Sequence, residues 1–134
     1  MNTYDFGDGN GPVAAHKHSN GGGWVADSAT VADSAYVGPD AKVSGKVLVC
    51  DYAKVSGNAE VSGNAVVCDN AMVCDYAEVS GKAEVFGDAV VFGDAVVSGY
   101  AKVSGYAVVF GKARVSGNAV VSGNAVVYEG EITE

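Results

Sequence analysis

From Val25 to Val126 the chain reads in units of six residues, with no insertion and no slip. The first unit is Val25-Ala-Asp-Ser-Ala-Thr30 and the last is Val121-Ser-Gly-Asn-Ala-Val126. These 102 residues make 17 hexads, each opening on Val. Position five is Ala in 16 of them, Val47 being the exception, and position three is Gly in 11, Asp in five and Pro once. A repeat this strict fixes the architecture before any other property is considered. Each unit is too small to bury its own apolar face, so neighbouring units must stack.

Composition narrows the interior. Hydrophobic residues make up 49% of the chain, and most are Val and Ala. Such small side chains suit a thin core between closely spaced backbone walls. The 19 Gly and 2 Pro fit frequent tight corners. A formal charge of −8 argues against nucleic acid or an anionic membrane as partner, since both require clustered Lys and Arg. Three Cys imply no disulfide framework. The opening Met1-Asn-Thr-Tyr-Asp5 has no signal-peptide character. Synthesis in the cytoplasm is expected, with a final location in a virion or outside the cell left open.

Three regions follow. Residues 1–24 form a Gly-rich N-terminal arm, 25–126 the repeat, and 127–134 an acidic tail. Phe6-Gly-Asp-Gly-Asn-Gly-Pro12 is turn chemistry, and Asn20-Gly-Gly-Gly23 reads as a flexible run. Val13 to His18 reads as a short strand. Trp24, the only Trp, is expected to cap the open end of the first coil. The tail, with Glu129, Glu131 and Glu134, suits a charged stop against stacking or a strand that pairs with another chain.

Within the repeat, a short extended segment crosses each hexad junction. It runs from the Ala of position five to the residue after the next Val. The period of two puts Ala and Val on one side and the variable residues on the other. Gly, Asp and Asn at positions three and four form corners that need positive φ. The product is an all-β parallel solenoid whose rungs rise about 4.8 Å each.

This pattern resembles the hexapeptide-repeat, left-handed parallel β-helix family. The resemblance covers about three quarters of the chain and implies a triangular solenoid of between five and six coils, three hexads to a coil. The family's usual small residue after the aliphatic is replaced here by Phe86, Phe92 and Phe110. The opening arm is similar to that of small bacteriophage and bacterial members.

Three hexads per coil stack every third hexad, so outward columns can be read. Hexad by hexad, one face carries Ser44, Ser62, Ser80, Ser98 and Ser116 at position two. A second carries Cys50, Cys68 and Phe86 at position two, with Met72, Val90, Val108 and Val126 at position six. A third carries Cys74, Phe92 and Phe110 at position two, with Lys42, Glu60, Glu78, Val96 and Arg114 at position six. The apolar column with its adjacent Phe residues exceeds isolated exposure and points to self-association through Met72, Phe86, Val90, Phe92, Val108, Phe110 and Val126. The family resemblance implies a trimer about an axis parallel to the solenoid; a filament is also compatible.

Signals for chemistry are sparse. His16 and His18 share one side of an extended strand and are half of a usual zinc set. In a trimer they resemble the His-x-His iron site at phage spike tips, the alternative being rings that hydrogen-bond the solenoid. Many relatives are acyltransferases using acyl-coenzyme A, with a His at a subunit boundary; here the hexads contain no His. The family's carbonic anhydrases need three His on the coils. Cys50 and Cys68, 18 residues apart, stack on neighbouring coils at a separation a disulfide accepts, although free thiols are the simpler reading. Asp8-Gly-Asn-Gly has too few ligands for a calcium loop. Three Thr are too few for an ice-binding array. The expectation is a non-enzymatic structural protein with no cofactor, whose partner is itself. The alternatives are a minimal acyltransferase and a metal-tipped trimeric spike.

Overall fold

The computed structural model describes residues 2–7 and 9–134. Asp8 lies outside the described residues, so the Asp8-Gly-Asn-Gly turn is not followed further. The described residues contain no helix. They form three sheets, parallel throughout the repeat, that close a triangular prism of about six coils.

Each rung is two residues, position six and the Val that follows it. Sheet I holds the rungs Lys42–Val43, Glu60–Val61, Glu78–Val79, Val96–Val97, Arg114–Val115 and Glu131–Ile132, with three further strands at its N-terminal edge. Sheet II runs from Thr30–Val31 to Val120–Val121 and sheet III from Tyr36–Val37 to Val126–Val127, six rungs each. The register is one coil: Val66 pairs with Leu48 below and Glu84 above. Every opening Val from Val37 to Val115 and every position-five Ala from Ala35 to Ala119 is buried in one continuous core. Backbone bonds climb from coil to coil, as in Leu48 N–H to Ala65 C=O (3.1 Å) and Cys50 N–H to Val67 C=O (3.0 Å).

The corners explain why position three alternates between Gly and Asp. Asp51, Asp69 and Asp75 adopt φ of 57°, 62° and 61°, a region that costs an ordinary side chain about 1–2 kcal/mol. Each carboxylate offsets this with a bond that Gly cannot make. Asp69 Oδ2 accepts from the Gly87 N–H at 2.9 Å, and Asp75 Oδ2 from the Gly93 N–H at 3.1 Å, one coil further on.

The arm is ordered β-structure. Strands β1 (Thr3–Asp5), β2 (Pro12–Lys17) and β3 (Trp24–Ala26) pair antiparallel, and β3 then joins Lys42–Val43 in parallel, so the arm extends sheet I. Trp24 does not cover the end of the first coil. It stands in register with Lys42, an outward position, and stacks on Tyr4 at 4.7 Å beneath the Lys17 ammonium. Residues 18–23 close the end instead. His18 Nε2 donates to the Ala35 carbonyl at 2.8 Å, Val37 N–H donates to Asn20 C=O, and Gly23 N–H donates to Val37 C=O. The glycine run is therefore a close approach and not a flexible linker: a Cβ on Gly23 would stand 2.2 Å from the Gly38 carbonyl oxygen.

The tail pairs with its own chain. Glu131–Ile132 lies parallel on Arg114–Val115 as a further rung of sheet I, and Ile132 packs against the core beside Val127. Val115 meets Ile132 after 17 residues where the other rungs take 18, so the last corner is one residue shorter.

Candidate interaction surface

Because a rung straddles the hexad junction, position six of one hexad and position two of the next share a sheet. Positions two and six of the same hexad are separated by a corner. This reassigns the faces. Sheet III presents Lys54 and Ser56, then Met72 and Cys74, Val90 and Phe92, Val108 and Phe110, and Val126 and Tyr128. Phe92 and Phe110 are therefore on the same face as the Met72–Val126 column, where hexad-by-hexad grouping put them on an adjacent one. Phe86 follows Glu84–Val85 on sheet II, away from this surface, and Val96 belongs to sheet I.

The sheet III surface is continuous. Phe92 and Phe110 stack at 5.0 Å with planes 5° apart, and Phe110 leans on Tyr128 at 5.9 Å. Met72, Val126 and Tyr128 are exposed at 37%, 58% and 57%, while Cys74, Val90, Phe92, Val108 and Phe110 are half-buried. No ionisable side chain other than Cys74 and Tyr128 stands on this sheet from Met72 upward. Burial first, and then the charge of Asp75, raises the Cys74 pKa and keeps its thiol protonated. Tyr128 escaped the sequence reading because it lies beyond the last hexad; the continuing 18-residue spacing from Phe92 to Phe110 to Tyr128 was the available signal.

The other faces differ. Sheet I sets Ser44, Ser62, Ser80, Ser98 and Ser116 beside Lys42, Glu60, Glu78, Val96 and Arg114. Sheet II interrupts its apolar residues with Glu84, Lys102, Ser104 and Ser122, and carries a disulfide between Cys50 and Cys68 on neighbouring coils, Cα–Cα 4.7 Å. The free-thiol reading of that pair does not hold.

Both histidines are engaged with the solenoid. His18 is 5% exposed and bound to Ala35, and the exposed His16 donates through Nδ1 to Asp27 Oδ1 at 2.7 Å. Among the described residues, no three His, Cys, Asp or Glu side chains converge as a metal site would require.

Similarity to known proteins agrees with the fold and stops there. A family model described as YdcK beta solenoid repeat matches residues 53–69 and 113–129, two stretches whose rungs are all solenoid rungs. This chain is similar to that repeat over those stretches. No curated protein and no solved structure matches it significantly.

Proposed function

We propose that the chain is a non-enzymatic structural solenoid that binds copies of itself through the outer surface of sheet III, and that its coils wind left-handed as in hexapeptide-repeat proteins. The observation that carries the self-association is the uninterrupted apolar surface from Met72 to Tyr128, stiffened by stacked rings, on one sheet out of three. Rigid aromatic groups on a flat sheet lose little side-chain entropy on docking. The uninterrupted 17 hexads support the left-handed winding, and a crystal structure tests it. The partner is a second copy of this chain, and neither nucleic acid nor membrane, in keeping with the charge of −8. The Cys50–Cys68 bridge supports a final location that is oxidising, such as a virion or the extracellular space.

Mass as a function of concentration tests this reading. The wild-type chain should associate, and Val90→Lys with Val108→Lys should leave a folded monomer. Association that survives both lysines would place the contact elsewhere.

A further inference from the structure

We infer that two copies pair antiparallel across sheet III, related by a two-fold axis that crosses the solenoid between the coils of Val90 and Val108. This rests on the self-association reading and specifies its geometry.

Area decides whether such a pair is reasonable. The eight outward residues from Met72 to Tyr128 expose on the order of 500 Å², at the upper range of patches on ordinary monomers. Two copies face to face would bury about 1,000 Å², the lower limit for a specific interface. The pair should therefore be reversible, with a dissociation constant in the micromolar range.

Charge decides the orientation. The apolar surface spans the coils of Met72, Val90, Val108 and Val126, so its midpoint lies between Val90 and Val108. An antiparallel two-fold there brings the Val90 coil of one copy over the Val108 coil of the other, and Met72 over Val126. It also sets like corners against each other. At the corner that follows these rungs, exposed Asp94 of one copy meets exposed Lys112 of the other on the two central coils, twice by symmetry. Asp75 and Glu129 on the outer coils meet as like charges, so the attractive pairs offset a repulsion, an offset that parallel pairing lacks. At the corner that precedes them, Asp88 meets the Tyr106 hydroxyl, a donor for its carboxylate. Lys54, on the coil below Met72, falls beyond the end of the other copy and stays in water.

Parallel pairing, which a trimer about an axis parallel to the solenoid would also approximate, loses both attractive contacts. Equal coils then face each other and opposite corners meet. Asp88 meets Asp94, and the two Lys54 side chains stand on the same coil level, each opposite Ser56 of the other copy. Like charges held opposite each other oppose association, so the same surface that permits both arrangements favours the antiparallel one.

The test is a charge exchange at low ionic strength, read by sedimentation equilibrium. Asp94→Lys alone and Lys112→Asp alone should each raise the dissociation constant roughly tenfold, since two attractive pairs become repulsive. The double exchange should return it to within about threefold of wild type. Other coils carry Lys46, Lys82, Asp40 and Asp88 at this corner position, so the substitutions suit the repeat; circular dichroism confirms that each variant is folded. A spin label at Asn58→Cys in a Cys74→Ala background gives a second readout. Antiparallel pairing separates the two labels by five coil spacings along the axis, roughly 24 Å, and parallel pairing by none. A dimeric wild type whose Asp94→Lys variant binds equally or more tightly, or whose labels share one level, overturns the antiparallel geometry and leaves self-association standing. A wild type that stays monomeric at millimolar concentration overturns both.

Discussion

Sheets I and III are built on the same backbone from the same hexads. Both point Val and Ala inward at every coil, and both stack at one coil per rung. Their outer surfaces differ completely. Sheet I sets Lys42, Glu60, Glu78, Arg114 and Glu131, interrupted only by Val96, beside a column of Ser. Sheet III from Met72 upward carries Met, Val, Cys and aromatic residues. The inner residues cannot account for this, because on the coils from Val43 to Val115 they are the same Val and Ala. Folding and recognition are thus assigned to different positions of one six-residue unit, and each can be changed without the other.

The largest effect should come from crossing that division within one rung. Val91 is fully buried and Val90 faces outward. Val91→Asp buries an unpaired carboxylate and should cost more than about 4 kcal/mol, enough to lose the cooperative β-signal in circular dichroism. Val90→Asp should change stability by less than about 0.5 kcal/mol in urea unfolding. Equal costs at the two positions would break the inside–outside assignment.

The disulfide comes next. It closes an 18-residue separation between neighbouring coils, and Cys50→Ser with Cys68→Ser should lower stability by about 3 kcal/mol. Reduction of the wild-type chain should reproduce that loss. A smaller contribution is expected at the corners. Asp69→Ala removes the bond to the Gly87 N–H while keeping a Cβ at positive φ, and should cost about 1–2 kcal/mol; Asp69→Gly should cost less than Asp69→Ala. The reverse order would mean that the positive φ of this corner carries no cost for a residue with a Cβ, since both variants lack the carboxylate alike.

The smallest effect is chemical and marks the apolar face itself. The thiolate is the reactive form, and burial raises the Cys74 pKa, so less thiolate is present at any given pH. Alkylation of Cys74, followed by mass spectrometry, should lag behind a small thiol at pH 8.5 and catch up only at higher pH. Equal rates at pH 8.5 would show a more open surface than sheet III presents.

Much of the fold was legible because the repeat is strict. The inward Val and Ala and the corners follow from the hexad period and from stacking units that cannot bury themselves alone, while the triangular closure, three hexads to a coil, came from the resemblance to hexapeptide-repeat proteins. The faces were harder. Grouping residues by hexad placed Phe92 and Phe110 beside the Val column and not on it, because the strand straddles the junction between hexads. Phe86 was drawn into the surface by the same grouping. The ends escaped for a different reason. In the arm, the glycines looked flexible, yet Gly23 is required by its contact with Gly38 and Val37, a tertiary fact no local pattern records. Trp24 looked like a lid because it precedes the first Val, but the position before a Val points outward. In the tail, the one-residue shortening before Ile132 hid a final rung. The Cys50–Cys68 bridge was geometrically allowed by the 18-residue spacing, and spacing alone could not separate it from two stacked thiols.

The central claim is that association belongs to the outer residues of sheet III. Sedimentation equilibrium compares the wild-type chain with two double variants, Val90→Lys/Val108→Lys on sheet III and Ser80→Lys/Ser98→Lys on sheet I. The account predicts a reversible dimer for wild type and for the sheet I variant, and a folded monomer for the sheet III variant. Equal masses for all three, or loss of the dimer only in the sheet I variant, would contradict it.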